Sequence, residues 1–276
     1  GGNNWKNVTM NITGLPQECW VTRIEASHFE AGAAYATFSN HRFDDYQPYI
    51  YKTDDFGKTW ISLKANLPDV GYLHVVREDP KNKDLLFAGS EFGLFISFNG
   101  GESWIPWEKD FPTVAVRDIQ IHPREKDLLV GTHGRGIWVL DDITPLESLA
   151  PEVINKRSDL FDIKPATLFS MKNSLMYSGP YDFSGPNPPY GACINYFLEN
   201  NPQENDTVKL TIQDEKANLV RTLDISPERG INRVYWDLRG EELSLPSSDI
   251  SRGGRFRRML SGAYVPPGEY TVTLEF

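Results

Sequence analysis

The stretch Tyr51–Leu63, YKTDDFGKTWISL, decides how the rest of the chain is read. An alternating strand runs into a polar turn, Thr53-Asp54-Asp55-Phe56-Gly57-Lys58-Thr59, and leaves it at Trp60. Such a turn, with its acids and hydroxyls, either does chemistry or holds two strands together. An aspartate on a hairpin accepts hydrogen bonds from backbone N–H groups that the strand ladder leaves free. Gly57 supplies a backbone conformation that other residues adopt only at a cost. Trp60 packed beneath the turn contributes roughly 1.5–3 kcal/mol of burial. Asp55 therefore reads as part of a staple between strands rather than as a catalytic acid.

The pattern returns in GLFISFNGGESWIPW, Gly93–Trp107, with Trp60 and Trp104 separated by 44 residues. The flanks repeat as well: LHVVREDPKNKDLLFAGSEFGLFIS aligns with VRDIQIHPREKDLLVGTHGRGIWVL. A fainter copy precedes them in VTRIEAS, AAYATFS and PYIYKTDD, and Gly1–Trp5 reads as the back half of one more turn. Each unit holds three or four short strands of alternating polarity. A period near 44 residues with four strands per unit predicts β-propeller blades across residues 1–146. The last unit supplies three strands and then Thr144-Pro145-Leu146-Glu147, a capping-box pattern with proline at the first helical position, so a short helix is expected in place of a fourth strand. Three units cannot close a ring, which makes this chain, opening on Gly1, the expected C-terminal part of a larger propeller.

The turn resembles the Asp-box, or bacterial neuraminidase repeat, Ser/Thr-x-Asp-x-Gly-x-Thr/Ser-Trp. Thr53, Asp55, Gly57, Thr59 and Trp60 match it in full. Ser97, Gly101, Ser103 and Trp104 match in the second copy, where Asn99 replaces the aspartate. Phrases such as GTHGRGIWVLDDI are similar to those of sortilin-like and xyloglucanase-like propellers, often labelled glycosyl hydrolases. The resemblance implies a structural role for the boxes and an extracytoplasmic setting. The catalytic aspartates of the xyloglucanase-like members have no matching context here, so none is carried over.

In a blade the turns after the first and third strands share one end, which the boxes occupy. The links after the second strand, and those between blades, lie at the other end. There the chain presents Asn40–Pro48, Ser90–Phe92 and Thr132–Gly136, offering Arg42, Asp44, Asp45, Glu91, His133 and Arg135 as candidate ligand-face residues. Carboxylates beside imidazole and guanidinium groups suit a polar ligand, and paired carboxylates are what glycoside hydrolysis requires. The links between blades add Tyr72, Trp107 and Phe111, aromatics suited either to sugar stacking or to packing on the next blade. GTHGRG lacks the following helix of a phosphate loop and reads as a tight strand connection. His28, His41, His74 and His122 show no metal spacing, and no cofactor is expected.

From about residue 160 the texture changes to ATLFSM, ACINYFL, VKLTIQDE, LVRTLDI, NRVYWDL and EYTVTLEF, strands parted by proline and glycine turns. Beyond a linker at 147–165, residues 166–276 resemble an immunoglobulin/fibronectin-like sandwich, with a long insert at Met176–Gly191. Net charge is −10, a field that repels phosphate backbones and argues against nucleic acid, despite the basic run Ser251–Arg258. Cys19 and Cys193 stand far apart, and no apolar run is long enough to cross a membrane. The expected function is binding of a glycan or protein through the propeller face, with the missing blades as the first partner. Part of a polysaccharide-cleaving glycosidase is the alternative, and a purely structural assembly module a third class.

Overall fold

The computed structural model describes residues 5–149, 153, 156–169, 189–203, 206–241 and 262–276. The chain is all-β and divides into two compact units, Gly1–Leu149 and Ala150–Phe276. The Ser251–Arg258 run, most of the Met176–Gly191 insert and Gly1–Asn4 lie outside the described residues.

Unit 1 holds three antiparallel sheets, each a meander in chain order. The first is β1 (Trp20–Ala26), β2 (Ala34–Asn40), β3 (Asp45–Thr53) and β4 (Ile61–Ser62). The second is β5 (Leu73–Glu78), β6 (Leu86–Ser90), β7 (Leu94–Ser97) and β8 (Ile105–Pro106). The third has three strands, β9 (Val116–Ile121), β10 (Leu128–Thr132) and β11 (Ile137–Leu140), followed by α1 (Thr144–Glu147). Strand order and direction are those of propeller blades. The helix forms where the sequence places it, but not by the expected capping box. Its N-cap is Ile143, and the Thr144 hydroxyl donates instead to Asp142 Oδ1 at 2.6 Å. That bond ties Thr144 back to the segment before the helix and so removes it from the capping role.

Successive side chains of a strand point to opposite faces of its sheet, and the apolar ones are buried where neighbouring sheets meet. Between the first and second sheets lie Tyr35, Ile50, Leu67, Leu73, Val76, Leu86 and Trp104. Between the second and third lie Val75, Phe87, Leu94, Ile96, Val116, Ile119 and Val130, joined by Ile143 and by Leu146 of α1. The helix thus contributes apolar side chains to the second cluster as the Trp104 turn does to the first. The first strands of the three sheets are bound by charge: Arg77 Nη1 meets Glu25 Oε2 at 2.5 Å, and Arg23 pairs with Asp118. Next to Arg77, at the close of β5, the buried Glu78 carboxylate accepts hydrogen bonds from Ser27 Oγ (3.0 Å), Tyr35 OH (3.0 Å) and the backbone N–H of His28 (2.5 Å).

Among the described residues, unit 2 has two three-stranded antiparallel sheets. One orders β12 (Ser158–Leu160), β13 (Ala192–Leu198) and β16 (Gly230–Trp236); the other orders β15 (Leu219–Leu223), β14 (Lys209–Gln213) and β17 (Thr271–Glu275). One cluster, with Ile194, Tyr196, Leu198, Leu210, Ile212 and Trp236 buried, joins the inner faces of both. ATLFSM, expected as a strand, forms none over Ala166–Phe169, where Leu168 and Phe169 are about half exposed. Antiparallel pairing along β13 is taken instead by the short polar strand β12. Cys19 and Cys193 are both free thiols, and burial pushes that of Cys19 up to about 11.

Candidate functional site

The turns come first, because they fix which end of the sheets is which. In the Thr53–Trp60 turn, Asp55 Oδ1 accepts the Thr59 N–H (2.9 Å) and Oδ2 the Thr59 hydroxyl (2.7 Å). The Thr53 hydroxyl oxygen accepts the Gly57 N–H at 3.0 Å, with Gly57 at φ +79°. The second turn repeats this with Ser97, Asn99, Gly101 and Ser103. Both turns close the third and fourth strands of a sheet. The links after the second strands, which carry the candidate ligand residues, lie at the other end.

Each first strand enters that other end through an irregularity. Pairing slips between Val21 and Arg23 in β1, between Leu73 and Val75 in β5, and opposite Gly131–Thr132 in β9, where Arg117 is the extra residue. A bulge re-aims the side chain it displaces. The displaced residues are Thr22, His74 and Arg117, and the last two meet. His74 Nε2 lies 2.8 Å from Glu91 Oε2, and its Nδ1 lies 3.2 Å from Arg117 Nη1. Arg117 Nη2 reaches the same Glu91 oxygen at 3.5 Å. A carboxylate only accepts and a guanidinium only donates, so His74 is the neutral tautomer with its proton on Nε2. Burial, aided by Arg117, pushes the imidazole pKa down. Burial opposes ionisation of Glu91, but hydrogen bonds from His74 and Tyr72 and the Arg117 charge outweigh it, holding the carboxyl below its ordinary value. Tyr72 carries the cluster on to the first sheet: the His41 ring stacks on it at 4.6 Å, and Tyr46 lies 6.5 Å away.

Of the residues proposed from sequence, Glu91 sits at the centre of this cluster. Asp45 is held within its own link, accepting from Tyr49 OH (2.7 Å), Asn40 Nδ2 (3.0 Å) and the Gln47 N–H (3.2 Å). Burial resists its charge, yet those bonds prevail and lower its pKa. Arg42 is exposed, its guanidinium 3.9 Å over the ring of Trp20, which is itself half exposed. Asp44 is exposed in the left-handed conformation at φ 60°. His133 and Arg135 are exposed on the third link, which is tied down by the His133 N–H bond to Ala115 O at 2.9 Å. These residues share one end of the three sheets, while direct side-chain contact gathers His41, Tyr72, His74, Glu91 and Arg117. Sequence reasoning set His41 and His74 aside for want of metal spacing and never singled out Arg117. Among the described residues, no group of three or more His, Cys, Asp or Glu side chains is placed to hold a metal ion.

Beside the cluster, Phe92 leads into a recess of about 510 Å³ lined by Pro68, Phe95, Trp104, Trp107 and Phe111. The end as a whole offers exposed Trp20, Phe43, Tyr46 and Phe92 around a charged centre. Such a surface can stack on a ring or seat an aromatic or aliphatic side chain, while Arg117 and Arg42 bind acceptor oxygens.

No protein-family profile matches the chain, and no curated protein matches it. Among solved structures, an ancestral GH74 enzyme is similar over 42% of this chain and 14% of its own length, at 22% identity and TM-score 0.34. The Niastella koreensis GH74 enzyme is similar over 44% of this chain and 21% of its own, at 20% identity and TM-score 0.35. YCF48 bound to D1 peptide is similar over 74% of this chain and 54% of its own, at 10% identity and TM-score 0.31. The chain spans less than a quarter of either enzyme. Among the described residues, no helix is long and apolar enough to cross a membrane.

Proposed function

We propose that unit 1 is part of an Asp-box β-propeller of the sortilin-like and xyloglucanase-like kind, and that it is a binding module of an extracytoplasmic protein. In this reading it recognises a glycan or a protein through the end of the sheets that carries the Asn40–Pro48, Ser90–Phe92 and Thr132–Gly136 links. Further sheets complete the ring, and unit 2 is an Ig/fibronectin-like scaffold. The observation that carries the proposal is the Tyr72–His74–Glu91–Arg117 cluster. Bulges in two neighbouring first strands turn side chains toward the links, where Glu91 fixes them beneath a rim of exposed aromatics. Surfaces that join tryptophan, tyrosine and arginine in this way are typical of binding hot spots.

Catalysis is the weaker reading. A glycosidase needs one carboxyl kept protonated to donate to the leaving group, which requires a raised pKa. Both Asp45 and Glu91 are shifted the other way.

The test is a glycan array and a peptide array probed in parallel with the whole chain, together with product analysis on any sugar bound. Trp20→Ala and Arg117→Ala are each expected to weaken the bound signal about tenfold or more. Binding untouched by both variants, or sugar cleavage lost in Asp44→Ala, overturns the proposal.

A further inference from the structure

We infer that His74 is a proton-operated latch on Arg117. The neutral imidazole holds the guanidinium at the link end of the sheets, and protonation sets it loose, so that a ligand bound through Arg117 is released in mild acid. The inference rests on the reading of this end as a binding surface, and it adds the regulation of that surface.

The latch follows from a count of donors and acceptors. Glu91 Oε2 takes the His74 Nε2 proton at 2.8 Å, which leaves Nδ1 to accept from Arg117 Nη1 at 3.2 Å. A guanidinium only donates, so this second bond exists only while Nδ1 carries no proton. Adding the proton sets two donors, each on a positive charge, face to face at a hydrogen-bond distance. Attraction becomes repulsion, in a partly buried place where salt and water screen it poorly.

Which side gives way depends on how each is held. The His74 side chain is 7% exposed, and the Tyr72 ring meets its ring edge-on at 4.9 Å. Glu91 is fixed through its own N–H, which donates to Tyr72 O at 3.1 Å, and the Gly71 N–H donates to Tyr46 O at 2.9 Å. An imidazolium would keep the bond to Glu91 and strengthen it, because both partners are then charged. The Arg117 side chain is 45% exposed, and its 3.5 Å contact with Glu91 is made to the oxygen that His74 already occupies. A long side chain that leaves such a contact gains rotamer freedom and hydration. The guanidinium therefore moves and the ring stays.

The neighbours keep their charge states while the latch works. Among the described residues, the groups that face His74 are Glu91 from the β6–β7 link, Arg117 from β9 and Tyr72 from the segment before β5. His41, from the link after β2, stacks on Tyr72 at 4.6 Å and adds a charge that opposes that of His74. Burial opposes the Glu91 charge, yet its hydrogen bonds and Arg117 hold the carboxyl below its ordinary value; burial, aided by Glu91, pushes the Tyr72 phenol up. Both therefore keep their neutral-pH form in mild acid. Burial, aided by Arg117 and His41, pushes the His74 imidazole below its ordinary 6.5, and the latch opens as pH falls through that lower value.

NMR on the whole chain tests this, with histidine-ring and arginine side-chain nitrogens followed from about pH 8 to about pH 5. The His74 ring should titrate out of its Nε2-protonated neutral form, and the Arg117 guanidinium signal should change with the same midpoint. Glutamine offers one donor and one acceptor without a titratable proton, so in His74→Gln the Arg117 signal should hold across the range. Conversely, Arg117→Ala should raise the His74 midpoint by about half a pH unit or more, because it removes a facing positive charge. Glycan and peptide arrays read with wild type at about pH 7.5 and about pH 5 should give a bound signal roughly tenfold weaker in acid. In His74→Gln the ratio between the two pH values should stay at about one, whatever its affinity at neutral pH. An Arg117 signal that ignores the His74 titration, a transition that persists in His74→Gln, or binding equally strong in acid overturns the inference. Arrays blank at both pH values sink the binding reading instead, while the Arg117 signal still decides the latch.

Discussion

The Thr53–Trp60 and Ser97–Trp104 turns hold their backbones with the same bonds but bury their tryptophans differently. In each, the leading hydroxyl oxygen accepts the glycine N–H, at 3.0 and 2.9 Å, and a side-chain oxygen two residues on accepts an N–H four residues further, at 2.9 and 3.0 Å. Trp104 is 2% exposed between two sheets, and its Nε1 donates to Leu63 O at 2.9 Å, across to the preceding strand segment. Trp60 is only half buried, and its Nε1 donates to Gly57 O within its own turn. The difference lies in what stands before each turn. A complete sheet precedes the second, whereas among the described residues Val8–Cys19 lies on that side of the first. The bonds of the turn are local; the energy of its tryptophan depends on the neighbouring sheet.

This comparison predicts unequal effects from one substitution. Trp104→Ala opens a cavity between two sheets and is expected to cost about 3–5 kcal/mol. Trp60→Ala removes a half-buried ring and should cost about 1–2 kcal/mol. Urea denaturation of both variants checks the order, and equal losses would contradict it. Smaller effects follow at the glycines. Gly101 has φ +93°, and an added Cβ would meet Leu63 at 2.9 Å; Gly57 has φ +79°, with Val8 at 3.2 Å. Each Gly→Ala change should cost on the order of 1–3 kcal/mol through the left-handed backbone alone. The loss should be greater at Gly101, where Leu63 is held between sheets, and thermal melts should separate the two.

The same contrast explains what could be read from residues. The Trp-anchored repeat and the strands of unit 1 were legible, because alternation and turn chemistry are local and recur at a fixed spacing. The His74–Glu91–Arg117 cluster was not, because it depends on bulges that interrupt alternation. A signal existed: in LHVVRE the doubled Val75-Val76 beside His74 marks a slip of the period, and Val116-Arg117-Asp118 in β9 breaks alternation at the equivalent position. In unit 2, β12 is three residues, Ser158-Asp159-Leu160, too short and polar to show a period. Thr144 looked like a cap because its spacing to Glu147 is that of a capping box, but Asp142 two residues earlier took its hydroxyl. His74 also yields a pH test. Its folded pKa lies below the unfolded value near 6.5, so its contribution to stability is complete above that pH and declines as pH falls below it. The decline should vanish in His74→Gln.

The smallest expected effect isolates charge from geometry in the turns. Asp55 Oδ2 accepts the Thr59 hydroxyl at 2.7 Å, whereas Asn99 Nδ2 donates to the Ser103 hydroxyl at 2.9 Å. A hydroxyl donates or accepts by rotating, so the turn closes with either residue. Hydrogen bonds from the Thr59 N–H and hydroxyl hold the Asp55 pKa down to about 2, from an ordinary 3.8. A carboxylate with a lowered folded pKa contributes stability that is full above its unfolded value and is lost as pH falls through the folded one. Wild type should therefore lose the Asp55 contribution between about pH 4 and pH 2. Asp55→Asn should form the Asn99 arrangement, melt close to wild type at neutral pH, and show a shallower acid decline. Melting temperatures measured across that window in both proteins give the comparison. A large neutral-pH loss in Asp55→Asn would mean that the charge itself closes the first turn, and that the two turns are held by different physics.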